Sequence, residues 1–225
     1  MLVQPDGNSM PIEELDAAAE YAAEYGNIFV NGAMNSFKEA QEYARLFAES
    51  INEPVLWVYR AQDFKIWETP NPNFTSRLQD LVNVSSEAAV YRGTEVTMAR
   101  HSNAAHICAL TSWSFDNFNL FAVGAAHWSG GPDINYETAL TNYQGDVLLV
   151  SGEGDDVSQL LHGSGFPDQY LKNGEVIEFM RGEEWIYYLS ESDLRVNQII
   201  LDSGHGWQDY MSGDLWQEYQ AFASE

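Results

Sequence analysis

The sequence predicts an α/β protein with a mainly parallel, doubly wound sheet. Short apolar, β-rich runs alternate with segments in which apolar residues recur at helical spacing. The 225 residues suffice for one domain with a large core, and the apolar content of 45% is that of a globular protein. Because no internal repeat or interdomain linker is evident, residues 1–225 are expected to form a single domain.

The predicted helices are marked by their end signals and by their spacing. Pro11 fits a first helical position and Gly26 a C-terminal stop, which predicts a helix over 11–25. The segment 36–51 repeats Phe and Ala at helical spacing and predicts a second helix. Further helices are predicted, in order, at 77–89, 103–113 and 207–223.

The predicted strands are short runs rich in β-branched and aromatic residues. The run 174–190 alternates around Arg181–Gly182 and predicts a late β-hairpin. The segments 61–76 and 127–138 are rich in Trp, Phe, Pro and Asn, and they are predicted loops. The other strands are expected, in order, at 27–32, 54–60, 95–99, 118–126, 146–151 and 198–202.

The charge balance excludes several classes of partner. The net charge is −24, with 34 acidic residues against 10 Lys and Arg, so nucleic acid and anionic membrane surfaces are repelled. No apolar run approaches the roughly 20 residues that a membrane helix needs. The first residues show no basic region followed by an apolar stretch, so no secretory signal is predicted and a cytoplasmic location is the default expectation. The oligomeric state is left open.

The sequence predicts no metal and no cofactor. The single cysteine, Cys108, excludes an intrachain disulfide and a multi-cysteine metal site. No H-x-x-x-H or H-E-x-x-H pattern is present, and "GEGDD" lacks the spacing of a calcium loop. The Gly-rich turns lack the lysine of a phosphate loop.

Three predicted strand ends carry the side chains of a serine hydrolase. Ser102 follows the strand at 95–99, Asp155 follows a later strand, and His205 follows the last one. Ligands of open α/β sheets bind beyond the carboxyl ends of the strands. The chain order Ser, Asp, His is that of the α/β-hydrolase fold.

Four blocks make the chain similar to the α/β-hydrolase superfamily, in its small lipase and esterase-like branch. "IFVNGAMNS" resembles the first core strand with its oxyanion loop, and "VTMARHSNAAHICAL" resembles the nucleophile elbow, where "GHSxG" is usual. "VLLVSGEGDDV" resembles the strand and turn that bear the acid, and "ILDSGHGWQDYM" the loop that bears the catalytic His. Together they span residues 28 to 211.

The resemblance implies a serine hydrolase that cleaves carboxylic esters through an acyl-enzyme on Ser102. His205 would accept the proton of the Ser102 hydroxyl, and Asp155 would orient the imidazole. The Asp-x-Val spacing favours Asp155 over Asp156 as the acid. The backbone amide of Asn103, directly after the nucleophile, would be one oxyanion donor.

The second oxyanion donor would come from Ala33 or Met34, and the resemblance does not settle which. A small-molecule or lipid ester is the expected substrate, with the loops at 61–76 and 127–138 lining or covering the pocket. No insertion is long enough for a large lid domain. Short-chain esterase activity is therefore favoured over interfacial lipase activity.

The elbow departs from the usual pattern at Arg100 and Ala104. These positions lie two before and two after Ser102, where small residues allow strand and helix to pack closely. Under one hypothesis Arg100 projects into the mouth of the site and contacts an acidic group of the substrate. Under the alternative, the elbow is altered and the protein is a non-catalytic α/β-hydrolase-like domain that binds a ligand or a protein partner.

Overall fold

An eight-stranded sheet forms the centre of the computed structural model. The described strands of the whole chain, in order, are β1 (Leu2–Val3), β2 (Ser9–Met10), β3 (Asn27–Val30), β4 (Val55–Val58), β5 (Val96–His101), β6 (Phe118–Val123), β7 (Val147–Gly152), β8 (Gln169–Lys172), β9 (Glu175–Glu178) and β10 (Val196–Leu201). The sheet order is β10-β7-β6-β5-β3-β4-β1-β2, and the first six of these strands run parallel. β1 pairs antiparallel with both β4 and β2, and β8 and β9 form a separate antiparallel pair.

The structure describes the sheet and the helices that pack on it. The described residues are 1–32, 35–61, 72–102, 117–124, 145–152, 169–172, 175–178, 196–201, 207–210, 219–220 and 222–223.

Helices cover both faces of the sheet, which confirms the predicted doubly wound α/β class. The helices are α1 (Leu15–Tyr25), α2 (Phe37–Ile51), α3 (Pro72–Arg92) and α4 (Trp207–Tyr210). One core packs α1 and α3 against the sheet, and the other packs α2, α4 and the residues near 219–222 against the opposite face. Since both faces are buried, the central strands β3, β5 and β6 are buried at every residue, as expected for parallel strands.

Side chains alternate between the two cores along each strand. Ile28 and Val30 of β3 belong to the core with α1 and α3, whereas Phe29 between them belongs to the core with α2. β5 follows the same rule, with Met98 on the first face and Ala99 on the second. This alternation decides on which side of the sheet each residue near the carboxyl edge lies.

A complete capping box fixes the start of α2. The Ser36 Oγ accepts a hydrogen bond from the Glu39 amide at 3.3 Å, and the Ser36 amide donates to the Glu39 carboxylate at 2.8 Å. These bonds satisfy backbone donors that the first helical turn leaves without partners. The loop between β3 and α2 is therefore anchored at its far end.

Several predicted boundaries were wrong. α1 begins at Leu15 and not at 11, and the backbone of Glu14, directly before it, is extended. α3 begins at Pro72, within the segment predicted as a loop, because proline costs no helical hydrogen bond in the first turn. β5 continues beyond 99 to His101, which still pairs with Val123 of β6. β6 ends at Val123 and not at 126. The short strands β1 and β2 were not predicted.

A hairpin formed by β8 and β9 lies just before the turn predicted at Arg181–Gly182. β8 and β9 are joined by Asn173 and Gly174, a pair of residues that favours two-residue hairpin turns. Residues 175–178, within the predicted run 174–190, form the second strand of this hairpin. The turn predicted at Arg181–Gly182 and the helix predicted at 103–113 lie outside the described residues. Within the described ranges, no helix has the length and apolar character to cross a membrane.

Replacing the helix cap should destabilise the protein without changing its fold. We expect Ser36→Ala to lower the free energy of unfolding by about 1 kcal/mol, measured by urea denaturation at pH 7. Ser36→Thr, which keeps a capping hydroxyl, is the matched control and should lose much less.

The free energy of unfolding that Ser36→Ala loses should depend on pH. The hydrogen bonds from Ser36 hold the pKa of Glu39 below its usual range, so their stabilisation is present above the unfolded pKa and disappears as the pH falls through the folded one. The difference between wild type and Ser36→Ala should therefore shrink in acid. A difference that stays constant from pH 7 to pH 3 would contradict this account of the cap.

Candidate active site

Ser102 has a backbone conformation that L-residues rarely adopt. It directly follows β5, and its φ is +55°. Only one other non-glycine residue of the described chain has a positive φ, namely Asn52, which caps the end of α2, a common place for this conformation. A serine has no intrinsic preference for the left-handed region, so the surrounding structure imposes it.

Backbone hydrogen bonds hold this conformation at the carboxyl edge of the sheet. The Ser102 amide donates to the Val123 carbonyl at 2.9 Å, and the Gly124 amide donates to the Val150 carbonyl at 2.8 Å. These bonds continue the parallel pairing from β5 through β6 to β7. The Ser102 residue is 7% exposed, so it lies in a largely desolvated position.

Gly32 packs against Ser102. It lies two residues after the end of β3. A Cβ placed on Gly32 would lie 3.1 Å from the Ser102 Cβ and 3.0 Å from the His101 Nδ1. Such contacts are tighter than nine in ten real Cβ contacts, so a larger residue here would push His101 or Ser102 out of place by a few tenths of an ångström. The loop that was predicted to carry an oxyanion donor therefore begins beside the candidate nucleophile. Ala33 and Met34 themselves lie outside the described residues.

The buried Asn31 side chain fixes the position of Gly32. Its amide nitrogen donates to the carbonyls of Gly32 and Arg60, each at 3.0 Å. Its oxygen accepts from the Arg60 amide at 2.9 Å and from the Trp57 Nε1 at 3.3 Å. Sequence reasoning had assigned no role to Asn31 or Arg60; the "NG" pair after a buried strand was the available signal.

Trp207 packs beside the elbow. Its ring lies 5.6 Å from the His101 ring and 4.9 Å from the Phe29 ring, centroid to centroid. His205 lies outside the described residues, but it precedes Trp207 by two positions, a reach of at most about 7 Å. His101 in turn precedes Ser102 directly. The packing therefore places Trp207 beside the residue that precedes Ser102.

The remaining predicted residues follow strands that are neighbours in the sheet. β5, β6, β7 and β10 are consecutive, and parallel strands lie about 4.8 Å apart. Asp155 and Asp156 come three and four residues after the end of β7, and His205 comes four after β10. The strands that lead to Ser102, the acid and the histidine thus all end at one edge. Asn103, Asp155, Asp156 and His205 lie outside the described residues.

Arg100 is fully buried within the fold. It pairs in register with Val30 of β3 and Ala122 of β6, and its Nε contacts the Met98 Sδ at 2.9 Å. Its side chain thus shares the face of Met98, the face on which α1 and α3 pack, whereas His101 lies on the other. The left-handed backbone at Ser102 is present although an arginine occupies the usual glycine position. In the part of the chain that is described, no group of three or more His, Cys, Asp or Glu residues is arranged to hold a metal ion.

Solved structures resemble the chain in fold. An esterase from Pyrococcus furiosus has a TM-score of 0.54 at 10% identity, with 90% of this chain and 82% of that chain covered. An α/β serine hydrolase homologue from Coxiella burnetii has a TM-score of 0.52 at 12% identity, with 100% and 89% covered. An esterase from Pyrobaculum calidifontis has a TM-score of 0.51 at 14% identity, with 88% and 73% covered.

These similarities concern the architecture of the chain. The chain has an α/β-hydrolase-type fold, as its four sequence blocks predicted. No family model matches the chain, and no curated protein matches its sequence.

The strained backbone at Ser102 should invert the usual order of stability between alanine and glycine. Glycine adopts a positive φ without steric cost, so we expect Ser102→Gly to be at least as stable as Ser102→Ala. The matched control is Ser86, a buried serine within α3, where Ser86→Gly should be about 1 kcal/mol less stable than Ser86→Ala. Urea denaturation of the four variants measures both differences. If position 102 ranks the two residues as position 86 does, the left-handed conformation is not a property of the folded protein.

Proposed function

We propose that the protein is a serine hydrolase that cleaves carboxylic esters through an acyl-enzyme on Ser102. The observation that carries this proposal is the left-handed backbone of a buried serine at the end of β5, in a sheet of the α/β-hydrolase type. A sharp turn after a strand is what presents a serine hydroxyl above the sheet edge. The strain has no other evident use in the described structure, and strained backbone tends to persist where function requires it.

The reaction follows from the roles of the site residues. The Ser102 Oγ attacks the carbonyl carbon of the ester while His205 takes the hydroxyl proton. The carbonyl oxygen becomes an oxyanion, and the amides of Asn103 and of Ala33 or Met34 stabilise it. The imidazolium then returns the proton to the departing alcohol, which leaves the acyl group on the serine oxygen. Water, activated by the same histidine, hydrolyses that acyl ester and restores the hydroxyl.

The described contacts are consistent with this arrangement of donors and base. Gly32 lies within van der Waals reach of Ser102 and directly precedes Ala33, which supports an oxyanion donor from residue 33 or 34. Trp207, two residues after His205, packs against His101 beside Ser102, which supports the proposed role of His205. Asp155 is proposed as the acid that orients the imidazole. No bound group is needed for these steps, and the proposal includes no cofactor.

Arg100 bears on the competing proposal of a non-catalytic binding domain. Its burial against Met98 favours a structural role over the contact with an acidic substrate group that the sequence suggested. Because the arginine is accommodated within the core, the elbow conformation does not depend on a glycine at position 100. A small-molecule ester remains the preferred substrate, since structures of similar fold include esterases.

A fluorophosphonate probe should label Ser102. Serine hydrolases react with this group through the activated hydroxyl, so mass spectrometry of the labelled protein should place the adduct on Ser102. We expect Ser102→Ala to abolish labelling and to lower turnover of p-nitrophenyl acetate by at least about a thousandfold. Ser86→Ala removes another buried serine hydroxyl and should keep both activities. Folded wild-type protein that stays unlabelled, beside an active control hydrolase, would favour the non-catalytic binding domain.

The choice between the two neighbouring acids is open to direct test. Removing the charge that orients the imidazole should lower kcat by about a thousandfold or more, so we expect this for Asp155→Asn. Asp156→Asn, the matched control one residue away, should stay within a few-fold of wild type. Steady-state kinetics with p-nitrophenyl acetate distinguishes them, and the opposite ranking would assign the role to Asp156.

A further inference from the structure

We propose that Phe37, supported by Tyr59 and Trp57, forms an aromatic wall of the substrate site and makes it selective for esters that carry an aromatic group. This inference rests on the proposed esterase function and specifies its substrate class. We name Phe37, Tyr59 and Trp57 the aromatic wall. The relevant feature of the molecule is a set of three packed rings, one of them half exposed, at the edge of the sheet where Ser102 lies.

The three rings pack on one another in a fixed arrangement. The Phe37 ring lies 5.2 Å from the Trp57 ring and 5.1 Å from the Tyr59 ring, and the latter two lie 5.7 Å apart. The interplanar angles of 47° to 76° are those of favourable edge-to-face and tilted contacts. Trp57 is 1% exposed, whereas Phe37 is 48% exposed. Half of an ordered phenylalanine therefore faces outward on a rigid aromatic base.

The register of the sheet places the aromatic wall beside the nucleophile. Val30 pairs with Val58 on one side and with Arg100 on the other, so Tyr59, Asn31 and His101 follow at one level on three neighbouring strand ends. With strands about 4.8 Å apart, Tyr59 lies about 10 Å from His101, the residue before Ser102. A benzyl group attached to the reacting ester extends across much of such a gap, whereas a methyl group does not.

One buried side chain connects the aromatic wall to the loop beside Ser102. The Trp57 Nε1 donates to the Asn31 oxygen at 3.3 Å, and the Asn31 amide nitrogen donates to the Gly32 carbonyl at 3.0 Å. Gly32 is the residue that abuts Ser102. The distance between the aromatic wall and the nucleophile is thus set by well-packed, hydrogen-bonded groups, as pocket walls that select a substrate require.

Tyr91 provides a matched control for an exposed aromatic ring. It is 94% exposed and lies in the last turn of α3, which leads to the amino end of β5 and therefore away from the Ser102 edge. Removing this ring should leave every ester unaffected. Phe37 differs from Tyr91 in its position and in its aromatic support, which are the two properties that the proposal uses.

Hydrolysis of three ethyl or benzyl esters tests the inference, with the released acid titrated at constant pH. Ethyl acetate lacks an aromatic group, ethyl phenylacetate has one on the acyl side, and benzyl acetate has one on the alcohol side. We expect Phe37→Ala to lower kcat/KM about tenfold for one of the aromatic esters while ethyl acetate stays within twofold. Phe37→Tyr, which keeps the ring, should retain the preference, and Tyr91→Ala should resemble wild type.

The outcomes separate this inference from the proposed function. Wild-type protein that neither hydrolyses ethyl acetate nor reacts with the fluorophosphonate probe would overturn the esterase proposal itself. Active wild-type protein in which Phe37→Ala lowers all three esters equally, or none, would overturn the aromatic wall alone. The aromatic ester that responds shows whether the wall contacts the acyl or the alcohol group.

Discussion

The left-handed backbone at Ser102 is the constraint on which the candidate site depends. A non-glycine residue in this conformation costs of order 1–3 kcal/mol, which its neighbours must offset. The hydrogen bond that the Ser102 amide donates to the Val123 carbonyl and the close packing of Gly32 hold it, and both arise from the pairing of β5 with the strands on either side. The parallel sheet thus fixes the backbone of Ser102, where the chain turns sharply away from β5.

The two faces of the sheet contribute different contacts near the carboxyl edge where Ser102 lies. On one face, aromatic packing among Trp207, Phe29 and Phe47 binds the end of the chain to the sheet beside His101. Tyr219 packs on the same face but donates to the Asn27 oxygen at 2.6 Å, at the opposite end of β3, and its burial raises the pKa of its hydroxyl well above the usual value. On the other face, Arg100 is accommodated beneath α1 and α3. Distant parts of the chain therefore converge at Ser102 through packing, not through local sequence.

The acidic composition bears on partners more than on the fold. Where cations are exposed they pair on helices, as Arg45 does with Glu42 at 2.8 Å and Glu49 at 2.6 Å, and such pairs contribute little to stability. Arg60 and Arg100, by contrast, are buried close to the carboxyl ends of β4 and β5. The ion pairs of Arg45 thus lie at the surface, while two arginines and several aromatic rings are buried near the candidate site.

The sequence by itself determined the class of the fold, because the alternation of apolar strands with helical segments is local and both faces of a parallel sheet are buried. It also determined the order of Ser102, Asp155 and His205, since chain order needs no coordinates. Only the tertiary structure decided that Ser102 is strained, that Arg100 fits within the core, and that Asn31 and Gly32 pack against the elbow. The start of helix α3 was misplaced in sequence because it depends on what that end of the helix packs against. The conformation of Ser102, the burial of Arg100 and the packing of Gly32 are set by contacts between residues far apart in the chain, and no local pattern encodes them.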